Sequence, residues 1–132
     1  MKQRLILLIM VLVLSGGPAY AEWEKIGSGE DGGFVVYVDL DSVRRKGNVV
    51  KIWRLFDLKT TKTWRGISYL SSKGFDEFDC TDEQSRILAS YLYASQMGRG
   101  QILHSDSNPG KWEPIMPGSV DQVLWKVACG KR

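Results

Sequence analysis

The chain contains two cysteines, Cys80 and Cys129, so it can close a single intrachain disulfide. That bridge would enclose a loop of about 50 residues, which by the chain-entropy treatment stabilises the folded state by about 4 kcal/mol. Small domains are stable by only about 5–15 kcal/mol, so the bridge would contribute a large share. The alternative is a reactive thiol, but Cys80 has neither a CxxC partner nor a neighbouring histidine. In an oxidising compartment the two cysteines therefore predict a covalently cross-linked fold.

The N-terminus indicates such a compartment. Two basic residues precede an apolar run at 5–14, and Ala19 and Ala21 then place small residues at two positions separated by one. This order is typical of a secretory signal peptide that is cleaved after Ala21. The alternative, a membrane-spanning helix, requires about 20 apolar residues, and the run is too short. We therefore expect residues 1–21 to be removed and residues 22–132 to fold as one exported domain without a stable membrane anchor.

The charge of the mature chain gives no support for a nucleic-acid partner. Loss of Lys2 and Arg4 with the signal peptide leaves 16 basic and 15 acidic residues, a net charge of +1. Proteins that bind nucleic acids need a basic excess on one face, because their affinity comes largely from phosphate neutralisation. The densest basic cluster, residues 44–46, precedes a Gly-Asn pair and is interpreted as a solvated turn, with anionic partners as the alternative. We expect no nucleic-acid binding.

Residues suited to catalysis or to metal binding are scarce. His104 is the only histidine, so any arrangement of nucleophile, base and acid would depend on it alone. No calcium-loop spacing follows the acidic pair at 39 and 41 or the acidic group at 76–79, and these carboxylates are interpreted as solvated turn residues. We therefore expect no enzyme, no metal and no cofactor. An ordered cleft with His104 beside an acid and a nucleophile would favour catalysis instead.

Alternating apolar and polar residues predict an antiparallel sheet of five or six strands. The predicted strands are residues 34–39, 49–58, 67–73 with an extended continuation to 80, 86–97 and 101–105. A helix is the alternative for 86–97, but its aromatic residues favour a strand. The predicted turns are residues 39–42, 58–63 and 98–100. Connections this short favour antiparallel pairing, because parallel pairing requires long crossovers.

The C-terminal segment changes to helical periodicity. Ser119 is placed as an N-cap with Gln122 three residues later, and apolar residues then recur every three or four positions until Gly130. Cys129 lies one helical turn after Trp125, so both side chains project from the same side and can face the sheet. The sequence therefore predicts an α+β fold, in which a single antiparallel sheet of five to six strands is covered by one C-terminal helix that a disulfide tethers.

A basic and aromatic group between two predicted strands is the candidate for partner binding. The chain contains five tryptophans, and most are expected in the core. Trp64 is the exception, because it lies between polar Thr63 and Arg65 near a predicted loop, where it can anchor a partner. The predicted partner-binding residues are Lys59, Lys62, Trp64 and Arg65.

Several blocks of the sequence resemble the surface-adhesin protein E domain of proteobacteria. The first is VYVDLDSVRRKGN at 36–48, followed by VVKIW at 49–53. The others are YLSSKG at 69–74, DC at 79–80, GRG at 98–100, KWEP at 111–114 leading to PGS at 117–119, and LWKVACG at 124–130. The resemblance covers nearly the whole mature chain. It implies a six-stranded antiparallel sheet with a disulfide-tethered C-terminal helix, and it implies that homodimers can form.

Two functional hypotheses follow, from different classes. The first, which the resemblance favours, is an exported, non-enzymatic binding module that recognises a host or envelope protein or a glycan. The second is a soluble periplasmic structural or accessory protein of an envelope complex. Location distinguishes them, because the first requires the cell surface or secretion and the second requires the periplasm.

Overall fold

A computed structural model describes residues 22–29 and 31–131, and its regular elements are seven strands and one α-helix. In chain order they are β1 (Glu24–Ser28), β2 (Phe34–Lys46), β3 (Val49–Trp64), β4 (Ile67–Asp79), β5 (Gln84–Tyr93), β6 (Ile102–Asp106), β7 (Glu113–Pro114) and α1 (Val120–Cys129). A short 3-10 helix, Gln96–Gly98, lies between β5 and β6. The predicted signal peptide, residues 1–21, lies outside the described residues.

The strands form one antiparallel sheet whose spatial order, β1-β2-β3-β4-β5-β6, is also their order in the chain. The two-residue strand β7 pairs with the first residues of β5, whereas β6 pairs with its last residues. Strands β1 to β6 therefore each pair with their neighbour in sequence through a short connection, as antiparallel topology allows, and β7 is the exception. The predicted single antiparallel sheet covered by a C-terminal helix is confirmed, with a short seventh strand in addition.

The two faces of the sheet differ in what covers them, because successive side chains on a strand point to opposite faces. On the helix-covered face, buried residues of the sheet pack against buried residues of α1; the main ones are Val36, Val38, Val50, Ile52, Phe78, Leu124, Trp125 and Ala128. The helix-free face carries Trp53, which stacks on Phe75 with ring centroids 4.8 Å apart and lies 6.1 Å from the ring of Tyr91. These three aromatic residues are only partly buried. The fold thus buries one face and leaves an aromatic row on the other.

The helix begins and ends where the sequence predicts. The hydroxyl of Ser119 accepts a hydrogen bond from the backbone N–H of Gln122, which satisfies one of the free donors of the first turn. The side chain of Gln122 in turn accepts from the N–H of Gly118. At the other end Gly130 adopts a left-handed conformation with φ of 67°, which glycine allows without strain. The predicted N-cap and helix end are confirmed.

The disulfide joins Cys80, directly after β4, to Cys129 in the last turn of α1. Their Cα atoms lie 5.6 Å apart, within the usual range for a bridge. Trp125, one turn earlier, donates from its indole nitrogen to the carbonyl oxygen of Asp79 at 3.0 Å. The helix is therefore held at the end of β4 by a covalent bond, a hydrogen bond and apolar burial together, and the predicted disulfide is confirmed.

The predicted turn at residues 39–42 is wrong, because β2 continues through it. The strand is irregular there, and its pairing with β3 resumes at Arg44. The hydroxyl of Ser42 donates to the carbonyl of Asp39 at 2.6 Å and accepts from the backbone N–H of Trp53 at 2.9 Å. The hydroxyl of Ser42 thus takes the place of the backbone carbonyl that would pair with Trp53 in a regular ladder. The strand bulges at the position where its polar residues predicted a turn.

Two further boundaries differ from the prediction. Strand β3 continues to Trp64, so the predicted hairpin end at 58–63 is strand, and the reversal occurs at Arg65 and Gly66. Both turn residues have positive φ, 47° and 80°, as a two-residue hairpin turn requires. Strand β5 ends at Tyr93, before the predicted end at residue 97. Strands β1 and β7 were not among the predicted strands, since neither has a marked alternating pattern.

Candidate functional site

The last residues of β3 and the first of β4 form a hairpin arm, which we define as residues 59–70. Its pairing joins Trp64 to Ile67 and Lys62 to Tyr69, and an irregularity separates it from the regular ladder that begins at Asp57. Such irregularities bend a hairpin and change the direction of its side chains. Residues 59–66 of the arm are all exposed. The four predicted partner-binding residues lie on this arm.

Trp64 is the most exposed large aromatic residue of the arm, with 38% of its surface accessible. Its ring centroid lies 4.8 Å from that of His104 on β6, and the guanidinium carbon of Arg65 lies 4.8 Å from the indole. The indole is therefore supported by two neighbours while much of its surface is free. An aromatic side chain held in this way loses little conformational entropy when a partner binds.

The two lysines of the arm point to other parts of the molecule. The ammonium of Lys62 lies 5.7 Å from the ring centroid of Phe34, at the start of β2. Lys59 lies at the base of the arm, where its backbone N–H donates to the carbonyl of Gly33 at 3.1 Å and its ammonium lies close to Gly32. Trp64 and Arg65 are therefore in contact with each other. Lys59 and Lys62 lie on the same arm, but their ammonium groups lie near Gly32 and Phe34.

A pocket of about 270 Å³ lies beneath the arm. Its lining mixes aromatic, basic, acidic and hydroxyl side chains: Arg54, Phe56, Trp64, Tyr69, Ser72, Lys73, Ser90, Leu92, His104 and Asp106. This combination of flat apolar surfaces with a few polar groups suits a protein side chain or a sugar ring. The contribution of His104 and Asp106 to this pocket could not be predicted, because it depends on how close β6 lies to the arm in the folded sheet.

The ring of His104 packs against the indole of Trp64, and His104 lines the pocket together with Ser72, Ser90 and Asp106. Among residues 22–29 and 31–131, no group of three or more histidine, cysteine or carboxylate side chains is placed to hold a metal ion. The aromatic and polar side chains that line the pocket can offer contact surface and hydrogen bonds to a ligand.

A second concentration of polar groups lies in the core. Arg54 donates from its Nε to the Oδ2 of Asp76 at 2.7 Å, and their side chains are only 9% and 5% exposed. Gly74, which pairs with Arg54 across the strands, leaves room for this contact, because a Cβ there would lie 2.4 Å from the guanidinium carbon. The other oxygen of Asp76 has no hydrogen-bond partner in the described part of the chain.

The environment of Asp76 changes its acidity. Burial raises the pKa of Asp76 above its ordinary value of 3.8; the charge and hydrogen bond of Arg54 lower it, and the negative charge of Asp121 raises it again. The neighbouring Glu77 is also buried and binds Arg86 at 2.9 Å. The interpretation of 76 and 77 as solvated turn residues is therefore wrong, because both belong to β4. Asp79 does serve a turn, accepting from the N–H groups of Thr81 and Asp82.

The architecture defines a class of protein: a single antiparallel sheet, with a disulfide-tethered helix on one face and a projecting aromatic and basic hairpin. The chain belongs to the surface-adhesin protein E family, whose profile matches residues 23–130. Membership indicates an adhesin-like surface protein. The described residues contain no helix long and apolar enough to cross a membrane.

Solved structures of a bacterial protein share this fold. Crystal form II of Haemophilus influenzae protein E superposes with a TM-score of 0.63 at 12% identity, covering 86% of this chain and 92% of that one. Protein E from non-typeable Haemophilus influenzae gives a TM-score of 0.52 at 12% identity, over 84% and 86% of the two chains. At this identity the similarity shows the fold alone. No match was found among curated proteins.

Proposed function

We propose that the mature domain is an adhesin module that binds a host or envelope protein, or a glycan, through the hairpin arm. The observation that carries the proposal is Trp64, which is exposed and yet held by His104 and Arg65. Exposed tryptophans that are fixed before binding are typical anchors of protein and carbohydrate recognition. The pocket beneath the arm gives the partner polar groups beside that anchor.

The charge of the arm favours an acidic partner. Residues 59–70 contain Lys59, Lys62 and Arg65 and no acidic residue, although the mature chain as a whole is nearly neutral. A local positive field steers an acidic surface toward the arm and raises the association rate, and salt weakens this effect. The partner we infer therefore presents carboxylate or sulfate groups around a feature that packs on Trp64.

Replacement of Trp64 by alanine is expected to weaken partner binding by about 2 kcal/mol, or roughly thirtyfold in Kd. The mature domain, residues 22–132, would be immobilised and exposed to extracts of host matrix and of bacterial envelope, and the captured partner would then be titrated against each variant. Replacing Lys59, Lys62 and Arg65 together by alanine should mainly slow association, and this effect should decrease at high salt.

The matched control for charge is a triple alanine variant of Arg44, Arg45 and Lys46. It also removes three positive charges, but from the exposed end of β2; the interpretation of residues 44–46 as a turn is wrong, because they pair with the start of β3 and the turn is formed by Gly47 and Asn48. If the control and the arm variants weaken binding equally, the partner responds to net charge and the arm is not the contact. If Trp64→Ala binds as tightly as the unchanged domain, the assignment of the anchor is wrong.

A second candidate function is a periplasmic accessory protein that assembles through the helix-free face. The stacked row of Trp53, Phe75 and Tyr91 on that face is partly exposed, and uncovered aromatic surface of this kind is typical of contact sites. A homodimer formed through this face is part of the same proposal.

Location and mass separate the two candidates. Surface labelling of the protein on intact cells would support the adhesin module, whereas release by osmotic shock without surface labelling would support the accessory protein. Light scattering of the purified mature domain measures the assembly directly. A mass of two chains that falls to one chain on Trp53→Lys would place the homodimer on the helix-free face, and a mass of one chain at all concentrations would contradict it.

A further inference from the structure

The pocket beneath the arm has small residues in the middle of its floor. In the cross-strand register, Gly74 and Ser90 lie between Arg54 on β3 and Asp106 on β6, and Ser72 lies in the neighbouring row. Residues opposite one another on paired strands point to the same face. The guanidinium of Arg54 lies over Gly74. Three strand spacings, about 14 Å, separate the backbones of β3 and β6, so the small residues leave a trough with a charged residue at each side.

The charges around this trough balance. Arg54 is bonded to Asp76, and Asp106 is the carboxylate that lines the opposite side. Lys73 also lines the pocket, but its ammonium lies 5.2 Å from the ring centroid of Tyr93, and it belongs to the same strand as Ser72 at the next position, which points to the other face. The lining and its direct partner thus carry two positive and two negative charges. The pocket therefore favours a ligand without net charge.

Polar groups of the lining have unused hydrogen-bonding capacity. Arg54 forms one side-chain hydrogen bond within the described residues, from its Nε, although a guanidinium has five donors. Within residues 22–29 and 31–131 the hydroxyls of Ser72 and Ser90 form none, and neither is enclosed in the core. The carboxylate of Asp106 is held by the backbone N–H of Asn108, which donates to its Oδ1 at 2.9 Å. The trough thus offers donors on one side, acceptors on the other, and hydroxyls of both kinds between them.

The arm adds an aromatic wall, because Trp64 and Tyr69 both line the pocket. The face of an indole carries partial negative charge and attracts polarised C–H bonds. A sugar ring presents such C–H bonds on one side and hydroxyl groups around its edge. A protein side chain that packs on an indole carries few hydrogen-bonding groups, so it would leave most of the polar lining unmatched. The volume of about 270 Å³ is just below the roughly 300–1,000 Å³ that hold drug-sized ligands, which suits a single ring.

We propose that the pocket beneath the arm binds one uncharged sugar residue of a glycan, with the apolar side of its ring against Trp64 and its hydroxyls bonded to Arg54, Ser90 and Asp106. This inference rests on the proposed function, since it names the chemistry of the feature that packs on Trp64. The acidic groups of the partner then lie outside the pocket, opposite the basic residues of the arm.

The test is a titration of the isotope-labelled mature domain, residues 22–132, followed by amide chemical shifts. The probes are the methyl glycosides of glucose, galactose, mannose, fucose, N-acetylglucosamine and N-acetylgalactosamine, with cyclohexanol as a ring that has one hydroxyl. We expect at least one glycoside to give saturable shifts at residues 64, 72, 90 and 104–106, with a Kd on the order of 1 mM, and cyclohexanol to give none. Tyrosine and glutamine blocked at both ends represent protein side chains. Saturation by these and by no glycoside would overturn the proposal, as would equal shifts with cyclohexanol.

Variants show whether the polar lining is responsible. Asp106→Asn should weaken sugar binding about tenfold and Ser90→Ala about threefold, because a hydrogen bond to a charged group contributes more than one between neutral groups. Ser105→Ala is the matched control, since Ser105 is exposed and lies next to Asp106 on β6, where successive side chains point to opposite faces. It should leave sugar binding unchanged. Equal losses in Ser105→Ala and Ser90→Ala would contradict the assignment of the site.

Trp64→Ala separates this inference from the proposed function. It should weaken sugar binding at least tenfold and also weaken binding of the captured partner. If no glycoside saturates the pocket while Trp64→Ala still weakens the captured partner, the arm remains the adhesin contact and the sugar site is wrong. If a glycoside saturates the pocket while the captured partner is unaffected by Trp64→Ala, the sugar site stands and the arm is not the adhesin contact.

Discussion

Reduction of the disulfide between Cys80 and Cys129 is expected to lower the free energy of unfolding of the mature domain by about 4 kcal/mol. The bridge spans 49 positions, and cutting it restores to the unfolded chain the conformational freedom of that loop. The loop includes β5, β6, β7 and nearly all of α1. Urea unfolding with and without a reductant, followed by tryptophan fluorescence and circular dichroism, measures the difference.

The double variant Cys80→Ser, Cys129→Ser is the control for this measurement. Its stability should equal that of the reduced domain, and adding reductant to it should change nothing. The hydrogen bond of Trp125 to Asp79 and the burial of Leu124 hold the helix without the bridge, so we expect α1 to remain docked but to open more often. A loss below about 1 kcal/mol, or mass mapping that finds both sulfurs free in the exported protein, would contradict the structural role of the bridge.

Features that depend on neighbouring residues could be predicted from the sequence. The limits of α1 followed from Ser119, Gln122 and Gly130, because capping involves only a few adjacent positions. The order of strands followed from short connections, which leave antiparallel neighbours as the simplest pairing. The disulfide followed from there being two cysteines in an exported chain, since no second pairing exists.

Features that depend on distant contacts could not be predicted. The turn assigned to residues 39–42 failed because the hydroxyl of Ser42 is paired with Trp53, eleven positions away. The solvated interpretation of Asp76 failed because its partner, Arg54, lies 22 positions earlier on another strand. In both cases the polar residue suggested an exposed position. Its hydrogen-bonding group instead finds a partner on a neighbouring strand, inside the sheet.

In the candidate site, too, the local features could be predicted and those that depend on distant contacts could not. The exposure of Trp64 followed from its polar neighbours Thr63 and Arg65, which are local. Its contact with His104 did not, because His104 lies 40 positions later on β6 and approaches only through the bent arm. The exposure of Trp64 was thus predictable from the sequence, whereas its contact with His104 and the pocket beneath it depend on the tertiary structure.

Replacement of Arg54 by methionine is expected to lower the free energy of unfolding at neutral pH by about 3–5 kcal/mol, the second large effect in this protein. Methionine fills a similar volume but leaves the carboxylate of Asp76 buried with no partner at either oxygen. The double variant Arg54→Met, Asp76→Leu removes both charges and should recover most of the loss, because replacing a whole buried pair by apolar residues is often neutral. Urea unfolding of both variants provides the comparison.

The loss in Arg54→Met should depend on pH in a direction that the pKa of Asp76 determines. In the folded protein that pKa is raised above 3.8, so the protonated form stabilises the fold below 3.8 and this contribution is lost as pH rises through the folded pKa. Removing Arg54 removes the influences that lower the pKa, so the folded pKa rises further. The variant should therefore be closest to the unchanged domain below pH 3.8 and should lose stability progressively toward neutral pH.

Lys51→Met is the matched control, because Lys51 is also a β3 cation opposite a β4 carboxylate. Its ammonium lies 3.9 Å from Glu77 and its side chain is 47% exposed, so solvent screens the pair. Exposed pairs of this kind contribute about 0–1 kcal/mol, and Glu77 keeps its contact with Arg86. Lys51→Met should thus cost little and show no comparable pH dependence. If the two variants lose equal stability, or if the loss in Arg54→Met is the same at every pH, the buried carboxylate is not the cause, because Asp76 depends on a single cation whereas Glu77 has two.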